Sequence, residues 1–245
     1  MQIDALALRL RPRTPYEAAD LGTRLCQSAA RDVYKCYLAV AVPVYLLCLC
    51  TVEIAYWLPA VTVYWLKPWL DRTILFVLSR AAFGQRTTLA DLWNAQRQVW
   101  WRQLLITLTW RLLSPWRSFT QPVYQLEGLR LGQFRRRILQ IRRRHSAPAA
   151  FMTFVYKLCE ISLTFAVASL LYWFAPRGQA PDLFEMLSSQ GEPLHALIFA
   201  GATAIVVLFL EPFYVASGFA MYLTRRAELE AWDIEQEFRR AFTPQ

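Results

Sequence analysis

The chain has 245 residues, of which 56% are hydrophobic, 15% aromatic and only 18% charged, with a net charge of +9 and a mean hydropathy of +0.23. An average soluble domain is roughly a quarter charged, so this composition excludes disorder and a secreted disulfide scaffold and argues against a water-soluble enzyme. It reads as one integral membrane domain over 1–245.

Of the 27 basic residues only Lys35, Lys67 and Lys157 are Lys, and the rest are Arg. They flank apolar segments, which fits a positive-inside signal better than a nucleic-acid surface. The five cysteines (Cys26, Cys36, Cys48, Cys50, Cys159) form no CxxC pair. That argues for reduced, packed thiols and against a disulfide framework or a zinc site. With His145 and His195 the only histidines, no metal centre is expected, and no cofactor is implied.

Residues 1–35 are too long and too acidic for the basic region of a signal peptide, and nothing after Val52 resembles a cleavage site, so the N-terminus is expected to stay. Leu46-Leu47-Cys48 lacks the small residues a lipoprotein signal needs before its cysteine. Thr14-Pro15-Tyr16-Glu17 is a helix start, with a capping Thr, Pro at the first helical position and Glu closing a capping box. Ala18, Leu21, Leu25, Ala29 and Val33 then recur at helical spacing, opposite Glu17, Asp20, Arg24, Arg31 and Lys35. This predicts an amphipathic helix along the membrane surface, ending the segment 1–35.

Residues 36–83 read as a first helical hairpin. Cys36–Val52 and Ile54–Leu66 are uncharged on either side of Glu53 and together exceed the ~20 residues of one crossing. A turn near Tyr56–Pro59 divides them, and the second span, from about Ala60 to Arg80, carries Lys67, Asp71 and Arg72. Residues 98–116 have basic flanks on both sides (Arg80, Arg86 and Arg97 before, Arg117 after) and read as an in-plane or re-entrant helix. Trp100, Trp101, Trp110 and Trp116 would lie at headgroup level. Residues 124–144 form a basic amphipathic helix, with Leu131, Phe134, Ile138 and Ile141 on one face and Arg130, Arg135, Arg136, Arg137, Arg142, Arg143 and Arg144 between them.

Residues 148–223 read as a second hairpin. Its first span, about 148–174, holds Lys157 and Glu160 one turn apart. The loop 175–193 has Arg177 against Asp182, Glu185 and Glu192 and reads as external; the last span runs from about Leu194 past Glu211-Pro212 to Leu223, and Arg225 and Arg226 stop it. A C-terminal cytoplasmic helix, 225–242, sets Ala231, Trp232, Ile234 and Phe238 against Glu228, Glu230, Asp233, Glu235 and Glu237. The expected fold is an all-α polytopic membrane bundle with about four spans, amphipathic surface helices and one in-plane or re-entrant helix, both termini inside.

A weak internal repeat accompanies this order. Trp65-Leu66-Lys67-Pro68-Trp69 matches Phe209-Leu210-Glu211-Pro212-Phe213 in the second span of each half. A pseudo-two-fold axis would make Lys67 and Glu211 equivalent positions of opposite sign. A lone mid-bilayer charge costs at least ~2.5 kcal/mol on insertion scales, so the two are candidates for an intramembrane pair. The reciprocal swap Lys67→Glu with Glu211→Lys is then expected to restore accumulation. Glu53, Asp71, Arg72, Lys157 and Glu160 are the other intramembrane charges. They either line a polar path near broken helices, or Lys157/Glu160 and Asp71/Arg72 satisfy one another or snorkel to an interface. The Arg cluster at 130–144 is either a patch for anionic lipid or partner docking or a plain orientation signal. No nucleic-acid module accompanies the charge, and no GxSxG, HExxH, Walker A or kinase pattern is present. A non-enzyme is expected; for an enzyme acting on lipid headgroups, Glu53 and Glu211 would be the only plausible catalytic carboxylates.

Several spaced motifs carry a resemblance along nearly the whole chain. They are Leu10-Arg11-Pro12-Arg13, Trp65-Leu66-Lys67-Pro68, Phe76-Val77-Leu78-Ser79-Arg80-Ala81 with Phe83-Gly84, Leu113-Ser114-Pro115 and Arg117-Ser118-Phe119. Gln125-Leu126-Glu127-Gly128, Glu211-Pro212-Phe213 and Glu230-Ala231-Trp232-Asp233-Ile234-Glu235 complete the set. In this pattern the chain resembles the membrane portion of uncharacterised proteobacterial inner-membrane proteins. More distantly its layout is similar to the membrane domain of some glycerophosphodiester phosphodiesterases, without their catalytic barrel. The resemblance implies a bacterial inner (cytoplasmic) membrane. It also implies a gene neighbourhood with MoxR-type ATPases, von Willebrand factor A-type proteins and transglutaminase-like membrane proteins as prospective partners. Many relatives continue into a membrane-anchored C-terminal domain beyond the point, Gln245, where this chain stops; if that domain carries the activity, the chain is a platform or one part of a split protein.

The leading expectation is therefore a non-enzymatic scaffold or assembly subunit of an envelope complex that contacts anionic lipid headgroups and other membrane proteins. The alternative is a small transporter or lipid-handling protein using the charges around Lys67 and Glu211.

Overall fold

The computed structural model describes residues 13–101, 104–109, 114–128, 131–174 and 193–230, and every regular element among them is helical. Helix α1 (Pro15–Ser28) begins at its capping box: the Glu17 N–H donates to Thr14 Oγ1, and the Thr14 N–H donates to the Glu17 carboxylate, both at 3.3 Å. At Ala29 the backbone leaves helical torsions, and α2 (Ala30–Cys50) follows at once. The expected surface helix ending at 35 is thus corrected. It stops at Ser28, and 30–35 belong to the first long apolar helix; 1–12 lie outside the described residues.

The reason is packing. Ala18, Gly22, Leu25 and Cys26 recur at helical spacing and are buried, and they seat α1 along the last helix, where a Cβ on Gly22 would overlap the Ala216 carbonyl. The apolar stripe of α1 is taken up by protein.

A 3₁₀ turn (Thr51–Glu53) leads to α3 (Leu58–Ala81), with Pro59 in its first turn. The chain therefore turns slightly before the expected Tyr56–Pro59 and returns alongside α2. A short α4 (Leu89–Asn94) is capped by Thr88 and Asp91. The expected in-plane or re-entrant helix over 98–116 is not a single helix: a π turn (Arg97–Trp101) and a five-residue α5 (Leu104–Leu108) each pack on α3, and residues 114–116 are not helical. Polar anchors explain the departure, since Arg72 Nη1 donates to Thr107 Oγ1 at 3.2 Å and Trp100 Nε1 to Thr73 Oγ1 at 3.0 Å.

The expected helix 124–144 is likewise two helices, α6 (Arg117–Leu126) and α7 (Leu131–Arg142). Gly128 separates them at φ +62, a left-handed torsion that glycine adopts without steric cost. Next come α8 (Ser146–Trp173) and α9 (Pro193–Glu230). No break divides α9 at 225, so the C-terminal helix is, as far as Glu230, a continuation of the last span. The loop 175–192 and residues 231–242 lie outside the described residues.

Helix α9 is the axis of the molecule, and α1, α2, α3, α6 and α8 all pack on it. Gly218 lets α6 approach so closely that a Cβ there would overlap Ser118. Among the described residues, three helices are long and apolar enough to cross a membrane: Ala30–Glu53, Ser146–Leu170 and Pro193–Glu230. They carry exposed apolar side chains, among them Leu47 at 71%, Phe154 at 63% and Phe209 at 59%. A water-soluble monomer rarely tolerates such contiguous apolar surface, whereas lipid solvates it. The two halves are packed differently: α1 seats along α9, while α7 lies mainly against α6.

Candidate functional site

Lys67 and Asp71 are four residues apart on α3 and share a face. Pro68 between them cannot donate to the Tyr64 carbonyl, which loosens that turn. On α9, Glu211 precedes Pro212, which leaves the Leu208 carbonyl without its helical donor; beside it, the Tyr34 hydroxyl donates to the Phe209 carbonyl at 2.8 Å. Both proline turns face one another.

Six charged side chains from four helices meet there, alternating in sign. Lys157 Nζ lies 3.0 Å from Glu160 Oε1, and Glu160 Oε2 lies 2.7 Å from Lys67 Nζ. Lys67 Nζ lies 2.8 Å from Glu211 Oε2. Glu211 Oε1 accepts from Arg117 Nη2, and Arg117 Nε lies 3.1 Å from Asp71 Oδ2. The row runs from the Lys157 side chain, 41% exposed, to Asp71, which is fully buried. Three positive and three negative charges balance within it. The Arg117 guanidinium also sits 5.3 Å from the Tyr214 ring centroid, and Lys157 Nζ 4.5 Å from that of Tyr64.

A cavity of about 200 Å³ opens beside this row, lined by Lys67, Arg117, Lys157, Glu160 and Glu211 with Tyr64, Tyr156 and Tyr214. Thr153 and Ser217 hold two of those phenols, Tyr214 at 3.2 Å and Tyr156 at 3.0 Å. The lining offers strong donors, strong acceptors and aromatic faces in one small space, a set chemically suited to hydrogen-bonding a compact polar or zwitterionic group. Among the described residues no group of His, Cys, Asp and Glu is arranged to hold a metal ion.

Of the intramembrane charges picked from sequence, Lys67, Glu211, Asp71, Lys157 and Glu160 meet here. Arg72 does not, and its expected pairing with Asp71 is corrected: Asp71 faces Arg117, while Arg72 reaches Thr107 and the Gln98 carbonyl. Glu53 is exposed in the turn between α2 and α3 and is not in the cavity lining. In the Arg cluster, Arg137 binds Glu127 and Glu230, and the Arg142 guanidinium lies 3.4 Å from the Trp116 ring centroid. Arg135, Arg136, Arg143 and Arg144 are exposed, and Arg130 lies outside the described residues. Arg117 was read from sequence only as a flanking charge. Asp71 was its signal, because it lies on the Lys67 face and needs a cation of its own.

No protein-family model, curated protein or solved structure matches the chain.

Proposed function

We propose that the chain is a four-span protein of the bacterial inner membrane, with both termini in the cytoplasm, that moves or handles a small polar ligand or lipid headgroup at the Lys67–Glu211 cavity. In this reading α3 is the fourth span. Its 24 residues give about 36 Å of helix, enough for a ~30 Å hydrocarbon layer. Lys67 and Asp71 are sequestered against α6, α8 and α9, and Arg72 against Thr107 and the Gln98 carbonyl.

One observation carries the reading: an alternating row of six charges leads from an exposed amine into the middle of the bundle beside a polar cavity. Buried ion pairs contribute little net stability and are often outperformed by apolar packing. One pair would suffice to orient two helices. A longer row with an open end and adjacent space fits a ligand path between broken helices. Lys157 is its movable member, since a ligand carrying an anionic group can replace Glu160 at its ammonium.

The test is movement of labelled phospholipids and labelled small ions in proteoliposomes, comparing the wild type with Lys157→Gln, a change at the exposed end of the row. The wild type is expected to move one class above protein-free vesicles, and Lys157→Gln to lose most of that movement at equal protein level. Rates equal to protein-free vesicles across the panel would contradict the proposal.

The closed charge balance favours a second reading, in which the row is a polar lock and the chain a scaffold in an envelope complex. The resemblance noted above points that reading toward a MoxR-type ATPase or a transglutaminase-like membrane protein as partner. It expects stoichiometric co-purification of another subunit that is indifferent to Lys157→Gln.

A further inference from the structure

Six of the seven arginines between 130 and 144 lie in the described residues, and the fold sorts them. Arg137 turns inward to Glu127 and Glu230, and Arg142 lies over Trp116. Ile141 is fully buried on the same side. Arg135 and Arg136 stay exposed on the other face of α7, and Arg143 and Arg144 are exposed in the turn just beyond its end. Leu139, one turn from both Arg135 and Arg143, is 66% exposed among them. No described acidic side chain forms an ion pair with these four. The nearby carboxylates are taken, Glu127 and Glu230 by Arg137, Glu230 also by Arg226, and Glu228 by Arg225.

We propose that this exposed face of α7 is a binding surface for the phosphate headgroups of anionic lipids. Position selects that occupant. Arg144 is two residues before Ser146, where a helix long and apolar enough to cross a membrane begins, so the face stands at the water boundary of that membrane. Chemistry agrees with position. A guanidinium pairs with a phosphate through two parallel hydrogen bonds, four of them form one patch, and Leu139 supplies the apolar contact that lets such a helix settle at the acyl boundary. An acidic soluble protein would find the same charges but has no use for Leu139 at the bilayer edge.

The experiment is native mass spectrometry of the full chain in a neutral detergent, titrated separately with phosphatidylglycerol and phosphatidylcholine. The wild type is expected to retain phosphatidylglycerol preferentially, and less of it as salt rises. Each of Arg135→Gln and Arg136→Gln should lower that retention about fivefold, and Leu139→Gln should weaken it too. Replacing Arg135, Arg136, Arg143 and Arg144 together by Lys keeps the charge but not the paired hydrogen bonds, and should lower the retention less than the Arg135→Gln, Arg136→Gln double variant does. Equal retention of both lipids by the wild type would overturn the proposal. So would unchanged retention in the Arg135→Gln, Arg136→Gln double variant, or indifference to phosphatidylglycerol combined with capture of an acidic protein.

Discussion

Glu211 touches two cations and Lys67 two carboxylates, and this alters what substitution can achieve. In the swap Lys67→Glu with Glu211→Lys, the new Glu would face Glu160 and the new Lys would face Arg117, so like charges meet at both ends. The swap is therefore not expected to restore accumulation, contrary to what an isolated pair implies. Glu211→Gln leaves Lys67 and Arg117 short of a counter-charge and should cost about 3–5 kcal/mol, the usual penalty for breaking a buried pair. Thermal unfolding in detergent measures both. At the boundary of α8, His145 lies close to Phe119 and 3.9 Å from Glu228. Burial pulls its pKa below 6.5, with Arg225 adding to the effect and Glu228 opposing it. A lowered histidine pKa means that the unfolded chain binds the proton more readily. Its contribution is present above about pH 6.5 and is lost as pH falls. The midpoint of thermal unfolding should drop between pH 7.5 and 5.5, and His145→Gln should flatten that part of the profile.

Among the elements, two glycines set the closest approaches. Gly22 admits α1 onto the Ala216 backbone, and Gly218 admits α6 at Ser118. Gly22→Ala and Gly218→Ala should each destabilise by about 1–3 kcal/mol through overpacking, although alanine is the better helix former. Gly201→Ala, with open space around it, should be neutral or stabilising by up to ~1 kcal/mol; a common loss in all three would contradict the packing. Local signals made some of these elements legible. The Thr14–Glu17 box fixes the start of α1, and the uncharged run after Cys36 marks a long apolar helix. What sequence periodicity cannot carry is the choice of partner. The stripe Ala18–Leu25 suits lipid or α9 equally well, and only the small residues at 22 and 216 favour protein. Gly128 was readable as a helix end, but the apolar positions on both sides keep helical spacing and mask it. For the site, Lys67 and Glu211 were legible as proline-flanked charges in apolar runs. Arg117 was not, because a charge just outside an apolar stretch looks the same whether it faces water or folds inward.

At the scale of the whole molecule, the apolar helices α2 and α8 and the charged α3 are packed on a third apolar helix, the long axis α9. Its 38 residues span about 57 Å, nearly twice the hydrocarbon thickness, so it carries the bundle's packing beyond the membrane to the α7 side. Single cysteines at Trp101, Trp116 and Gln179, probed with impermeant reagents on a cysteine-free background, test the four-span topology. Trp101 and Trp116 should label from the cytoplasm and Gln179 from outside. Labelling of Gln179 and Trp116 from the same side would remove α8 as a single crossing.

The central claim is that the charged cavity holds a ligand. Its most direct test is affinity purification at native level in mild detergent, with mass spectrometry of retained lipids, small molecules and co-purifying proteins, run in parallel for the wild type and Lys157→Gln. One enriched small ligand or lipid class on the wild type, absent from Lys157→Gln, is the predicted result. A stoichiometric protein partner, equally recovered with both and with no enriched ligand, would contradict it and make the buried row a structural lock.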